Sequence, residues 1–90
     1  MARAFWNKAS NWYSLYPQET WIGFFRDFRG ASKLYVFLGN YEEALAQAKE
    51  YAKAHDRKFL FILDYPSAIK LRDSTIGKGK YEDFFRSDNN

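Results

Sequence analysis

The sequence predicts an α+β domain of β-β-α-β order, a small sheet packed on one main helix. Three observations carry this reading. A helical apolar stripe covers residues 41–55, strand-forming runs lie on both sides of it, and an aromatic stretch at 20–28 joins the first run through a glycine turn.

The helix is the plainest element. Tyr41, Ala44, Leu45, Ala48, Tyr51, Ala52 and His55 follow the i, i+3, i+4, i+7 spacing of one helix face. Asn40 is a good N-cap, and Glu43 three residues later completes a capping-box pattern. Glu42 and Glu43 in the first turn, with Lys53, Arg57 and Lys58 in or after the last, suit the helix dipole. Lys33–Leu38 precedes the helix and Lys58–Leu63 follows it. Both runs are rich in β-branched and aromatic residues and end at turn signals, Gly39-Asn40 and Asp64-Tyr65-Pro66. The second run is apolar from Phe59 to Leu63, which predicts a strand covered on both faces.

Residues 20–28 support two readings. As a strand, Ile22, Phe24 and Phe28 alternate with Trp21, Gly23 and Phe25, and the chain turns through Arg29-Gly30-Ala31-Ser32 into the next strand. As a helix, Trp21, Phe24, Phe25 and Phe28 form one stripe, with Pro17 before it and Gly30 after it. The β-prone residues and the internal Gly23 favour the hairpin. The helix reading gives the alternative fold, α-β-α-β with parallel strands.

Around the core at 20–64, residues 1–16 form an aromatic N-terminal segment that becomes a short helix or an extra strand. Residues 67–90 read as turn-rich: Ala68–Leu71 as a short edge strand, Gly77–Lys80 as a turn, Tyr81–Arg86 as a last helical turn, and Ser87–Asn90 as a frayed tail. Ninety residues make one domain, with no room expected for a second hydrophobic core. No repeat or low-complexity tract divides it.

Most chemistry is disfavoured. Without cysteine there is no disulfide, thiolate nucleophile or Cys-ligated metal. His55 is the only histidine, too few for the usual zinc site, and no serine sits in a glycine-flanked elbow where His55 would activate it. Asp27, Asp64 and Asp73 are the carboxylates on apolar background, and Asp64 before Tyr65-Pro66 reads as turn chemistry. Gly77-Lys78-Gly79-Lys80 lacks the spacing of a phosphate-binding loop. No cofactor or metal is expected. The helix from Asn40 to Lys49 followed by Lys58–Leu63 resembles the helix-to-strand segment of thioredoxin-like domains, which then place a Cys-x-x-Cys at the next helix. Here Asp64-Tyr65-Pro66-Ser67-Ala68 follows, so no redox function carries over.

Net charge is +3, with 14 basic and 11 acidic residues well mixed, a mild bias towards anionic partners. No long apolar run follows Met1–Trp6 or occurs elsewhere, so the expectation is a cytoplasmic protein without a signal peptide or membrane helix.

The unusual quantity is aromatic content: nine Phe, seven Tyr and three Trp among 90 residues. Each ring buries roughly 150–250 Å², so so many exceed the needs of one small core. Side chains alternate along a strand. With Leu34, Val36, Leu38, Ile22, Phe24 and Phe28 turned to the helix, the opposite face carries Trp21, Phe25, Tyr35 and Phe37. Either the N-terminal aromatics Phe5, Trp6 and Trp12 cover that face, or part of it stays open as a recognition patch rimmed by Arg29, Lys33 and Arg26.

The expected function is therefore a non-catalytic binding module that engages or occludes a site on a larger protein, with Trp21, Phe25, Tyr35 and Phe37 as anchors and Arg29 and Lys33 at the rim. Small inhibitors encoded by phages or mobile elements share this profile, an argument by analogy. The alternatives are single-stranded or structured nucleic acid stacked on the same rings, a second copy of the chain, and, least favoured, a carboxylate enzyme.

Overall fold

The computed structural model of the chain describes residues 2–85, with side chains from Ala4 onward. Its elements are α1 (Ala2–Leu15), β1 (Thr20–Arg26), β2 (Ser32–Leu38), α2 (Tyr41–Ala54), β3 (Lys58–Asp64), α3 (Tyr65–Asp73), α4 (Thr75–Gly79) and α5 (Glu82–Phe85). The β-β-α-β core is present, residues 20–26 are strand, and the N-terminal aromatic segment is a helix. The frayed tail predicted at 87–90 lies outside the described residues. Among those described, no helix is long and apolar enough to cross a membrane.

The sheet has the order β2-β1-β3, and both neighbouring pairs are antiparallel. β2 and β3 thus run in the same direction with β1 between them, and α2 crosses from one edge of the sheet to the other. The alternative with paired parallel strands does not occur. The β1–β2 register is unbroken from Thr20↔Leu38 to Arg26↔Ser32. The β1–β3 register shifts between Phe24 and Phe25, where β3 carries one extra residue, Leu60.

The hairpin turn starts earlier than predicted, at Asp27. Its backbone N–H donates to Ala31 O (2.9 Å), and Gly30 N–H donates to Asp27 O (2.9 Å) with Gly30 at φ +84°. The Asp27 carboxylate accepts from the amides of Arg29 and Ala31, and the Ala31 bond above all holds its pKa below the usual value. Phe28 therefore falls at the hairpin tip, 76% exposed, and not on the strand face expected for it.

α2 begins as predicted. Asn40 Oδ1 accepts from Glu43 N–H (2.8 Å) and Glu43 Oε1 accepts from Asn40 N–H (2.9 Å). It ends with Asp56 in the left-handed region (φ 53°) and Arg57 N–H reaching back to Ala52 O (2.8 Å), an end that satisfies the last carbonyls.

The two sheet faces are the reverse of the expected assignment. Phe25, Phe37 and Ile62, flanked by Trp21, Phe59 and Tyr51, pack on α2; Ile22, Phe24, Leu34 and Val36 face away from it. The reason is volume. The buried stripe of α2 is Ala44, Ala48 and Ala52, which leaves room that large side chains, mostly rings, fill from the sheet. The other face is closed by Trp6 and Ala9 of α1, Ala68 of α3 and Phe84 of α5. Phe24 is its centre, stacked on Phe61 at 4.5 Å and edge-on to Phe84 at 5.3 Å. Because of the bulge, Leu60 and Phe61 both serve this second core while Phe59 and Ile62 serve the first. Both faces of β3 are thus covered, as its apolar run predicts.

Residues 65–73 and 75–79 are helical where a strand and a turn were expected. Asp64 caps α3 by accepting from Ser67 N–H (3.0 Å), and Pro66 sits in the first turn, where its missing N–H costs nothing. Ser74 Oγ accepts from Gly77 N–H (3.0 Å), so 75–79 is a short helix and not a loop.

α5 is tied to the hairpin by charge. Arg26 Nη1 donates to Asp83 Oδ2 (2.8 Å), to Ser32 Oγ (2.9 Å) and to Gly30 O (3.1 Å), and Ser32 Oγ donates to the same Asp83 oxygen. Arg26 also lies over the Phe84 ring at 4.9 Å, so it is a structural residue and not part of a binding rim. Partial desolvation raises the Asp83 pKa, but the Ser32 and Arg26 hydrogen bonds outweigh it and the net shift is downward. A depressed carboxylate stabilises the fold above its unfolded pKa of about 3.8, and that contribution is lost as pH falls through the lower folded value. The urea midpoint of the wild type should therefore exceed that of Asp83→Asn near pH 6, with the gap narrowing as the pH falls below about 3.8. A gap constant with pH would contradict the role given to this carboxylate.

Candidate protein-docking groove

A concave surface with exposed apolar lining lies along the outer edge of β2. Its backbone pattern follows from the hairpin. The bonds Asp27 N–H to Ala31 O and Gly39 N–H to Glu19 O mark hydrogen-bonded pairs at both ends of an unbroken register. Such pairs alternate with non-bonded ones in an antiparallel ladder. Lys33, Tyr35 and Phe37 therefore spend their N–H and C=O groups on β1, while those of Leu34, Val36 and Leu38 point away from the sheet. One of these is occupied: Gln47 Nε2 of α2 donates to Leu38 O at 2.8 Å, as the alternation requires.

Above and below this edge stand two helices. Lys8 and Trp12 of α1 form one wall, Gln47, Glu50 and Tyr51 of α2 the other, and together with Tyr35–Leu38 they enclose a groove of about 720 Å³. A shallower hollow lined by Lys8, Asn11, Trp12 and Leu15 continues it along α1. Trp12 stacks on the exposed Tyr16, and Leu15 beside them is also exposed, so the apolar surface extends past the groove mouth. Tyr35 is held at 4.4 Å from the Tyr51 ring, which in turn packs on His55 at 4.3 Å and accepts a hydrogen bond from Arg57 Nη1 (2.7 Å). Burial raises the Tyr51 pKa despite the adjacent Arg57 charge, so this phenol stays neutral.

The structure separates the anchors predicted from sequence. Tyr35, 40% exposed, faces the groove; Phe37 lines it but is only 5% exposed. Phe25 is fully buried under α2. Trp21 is half-buried, donating its indole N–H to Gly39 O (2.8 Å) beside Tyr41. Arg29 sits at the hairpin tip over the Phe28 ring (5.3 Å), and Lys33 is half-buried near the same end of β2. Neither lines the groove. Sequence reasoning missed Lys8, Trp12, Gln47 and Tyr51, which come to β2 from two helices. Trp12 was visible only as one of the N-terminal rings expected to cover the second sheet face.

The candidate catalytic groups have structural partners. Asp27 closes the hairpin, Asp64 caps α3 and Asp73 pairs with Arg72 (3.2 Å). His55 stacks on Tyr51, and no group of three His, Cys, Asp or Glu among the described residues would hold a metal ion. Set against known proteins, the chain matches no family model, no curated sequence and no solved structure.

Proposed function

We propose that this protein is a non-catalytic binding module that engages or occludes a site on a larger protein through the α1–β2–α2 groove. One observation carries the reading: an apolar groove stands open beside a strand edge on which the N–H and C=O of Leu34 and Val36 and the N–H of Leu38 have no hydrogen-bond partner among the described residues. Monomeric domains rarely leave such a combination exposed unless a partner covers it. Tyr and Trp, the residues offered by Tyr35, Tyr51 and Trp12, are those that dominate binding hot spots. Stacking nucleic-acid bases on Trp21, Phe25 and Phe37 would require α2 to leave the sheet, which favours the protein reading.

Immobilised wild type and the double variant Trp12→Glu/Tyr35→Glu, incubated with extract of the cells that make the protein and treated with nuclease, test this. The wild type should retain a protein that the variant loses, with little salt dependence. Complete loss on nuclease treatment, or binding that falls linearly in log–log form with salt, would turn the assignment to nucleic acid.

A further inference from the structure

We infer that the occupant of the groove is a single extended segment of another protein that adds a fourth strand to β2 and presents a carboxylate to Lys8. This rests on the groove being the binding surface and specifies what fills it. Both outer strands have a free edge, but they differ. β3 is broken by the bulge at Leu60, a device that blunts edges. β2 keeps register through seven pairs and offers the N–H and C=O of Leu34 and Val36 and the N–H of Leu38. These groups recur every second residue, the repeat of an incoming strand, and none of the hydrogen bonds outside the ladder among the described residues uses them.

The walls select the width and the charge of the guest. With α1 on one side and α2 on the other, the groove admits a strand, at the ~4.8 Å spacing of a sheet, and not a second sheet edge with helices of its own. Lys8 reaches round the edge from α1 to lie over the Tyr35 ring at 5.4 Å, and it forms no ion pair among the described residues. A lysine so placed guards the edge against unspecific pairing. A symmetric β2–β2 pair would draw two Lys8 ammonium groups toward one two-fold axis, with no carboxylate in Ser32–Leu38 to meet them. A foreign strand with an acidic residue on the α1 side removes that conflict. Glu50 on the opposite wall disfavours a second acid facing α2.

A library of displayed linear 12-residue peptides, selected on the full chain, provides the probe. Selected peptides should carry Asp or Glu at one fixed position, and selection on Lys8→Glu should exchange it for Lys or Arg. Peptide binding should slow amide exchange at Leu34, Val36 and Leu38 at least tenfold and leave Lys33, Tyr35 and Phe37 unchanged. Val36→Pro removes an outward N–H without touching the β1 ladder and should weaken binding at least tenfold. N-methylation of alternate peptide residues should do the same from the ligand side, whatever the fate of that variant. Three results would overturn the proposal: no binders; binders that leave the three amides unprotected; or concentration-dependent dimerisation of the wild type abolished by Val36→Pro, which would make the occupant a second copy. The broader reading falls separately, if Trp12→Glu/Tyr35→Glu still captures the cellular partner.

Discussion

Replacing Phe24 with alanine should destabilise the domain by about 3–5 kcal/mol, a large part of the about 5–15 kcal/mol that such a domain possesses. Phe24 is fully buried at the centre of the central strand, and its ring meets Phe61, Phe84 and Phe85. Truncation removes the transfer free energy of the ring and leaves a cavity that β1, clamped on both sides by hydrogen bonds, cannot close. A melting midpoint lowered by at least about 12 °C is expected. Phe28→Ala supplies the contrast. The same deletion four residues on, at a tip 76% exposed, should change stability by less than about 0.5 kcal/mol. Equal losses at both positions would mean that the β1 alternation has been misassigned.

The second large effect concerns a residue with no side chain. A Cβ on Gly77 would lie 1.7 Å from Leu71 O and 2.7 Å from its carbonyl carbon, so the backbones of α3 and α4 would have to part. Gly77→Ala should cost about 3 kcal/mol or more, at or beyond the usual upper range for overpacking, because the obstacle is main chain and not a mobile side chain. The displacement would pass through α4 to Phe84, which is fully buried in the core shared with Phe24. Gly79, in the same short helix, has nothing within 4 Å of its Cβ position. There Gly79→Ala should be neutral or stabilising by up to about 1 kcal/mol. Urea titration of both variants decides the matter, and similar midpoints would refute the close-approach argument.

The contrast between what was legible and what was not follows the range of the interactions. Asn40 and Glu43 announce the start of α2 because a capping box is built within four residues. The hairpin was readable because Gly23 and the β-prone rings outweigh a helical stripe that is also present. Asp64 and Pro66 held a helix-start signal that the strand reading of Ala68–Leu71 overlooked, since Asp at a strand end suits a turn equally well. Phe28 apart, the two sheet faces were sorted correctly into odd and even sets but assigned to the wrong layers. Alternation defines two sets without saying which one a helix covers. The alanines of α2 held the answer, because a stripe that small demands large side chains opposite it. As to the surplus of rings, it proved largely internal: two cores, one on each face, absorb Phe24, Phe25, Phe37 and Phe84. What remains open is a groove built by elements distant in sequence. Nothing local to Val36 says that β2 is an edge, because either hairpin strand was free to take β3 as its neighbour.

The physical claim beneath the proposed function is that the outer side of β2 is unpaired in the free protein. Residue-resolved amide hydrogen exchange measures it directly. Lys33, Tyr35 and Phe37 should exchange slowly, and Leu34, Val36 and Leu38 faster by on the order of a hundredfold. Uniform protection along the strand would show that the edge is already covered, and the groove would lose its claim to a partner.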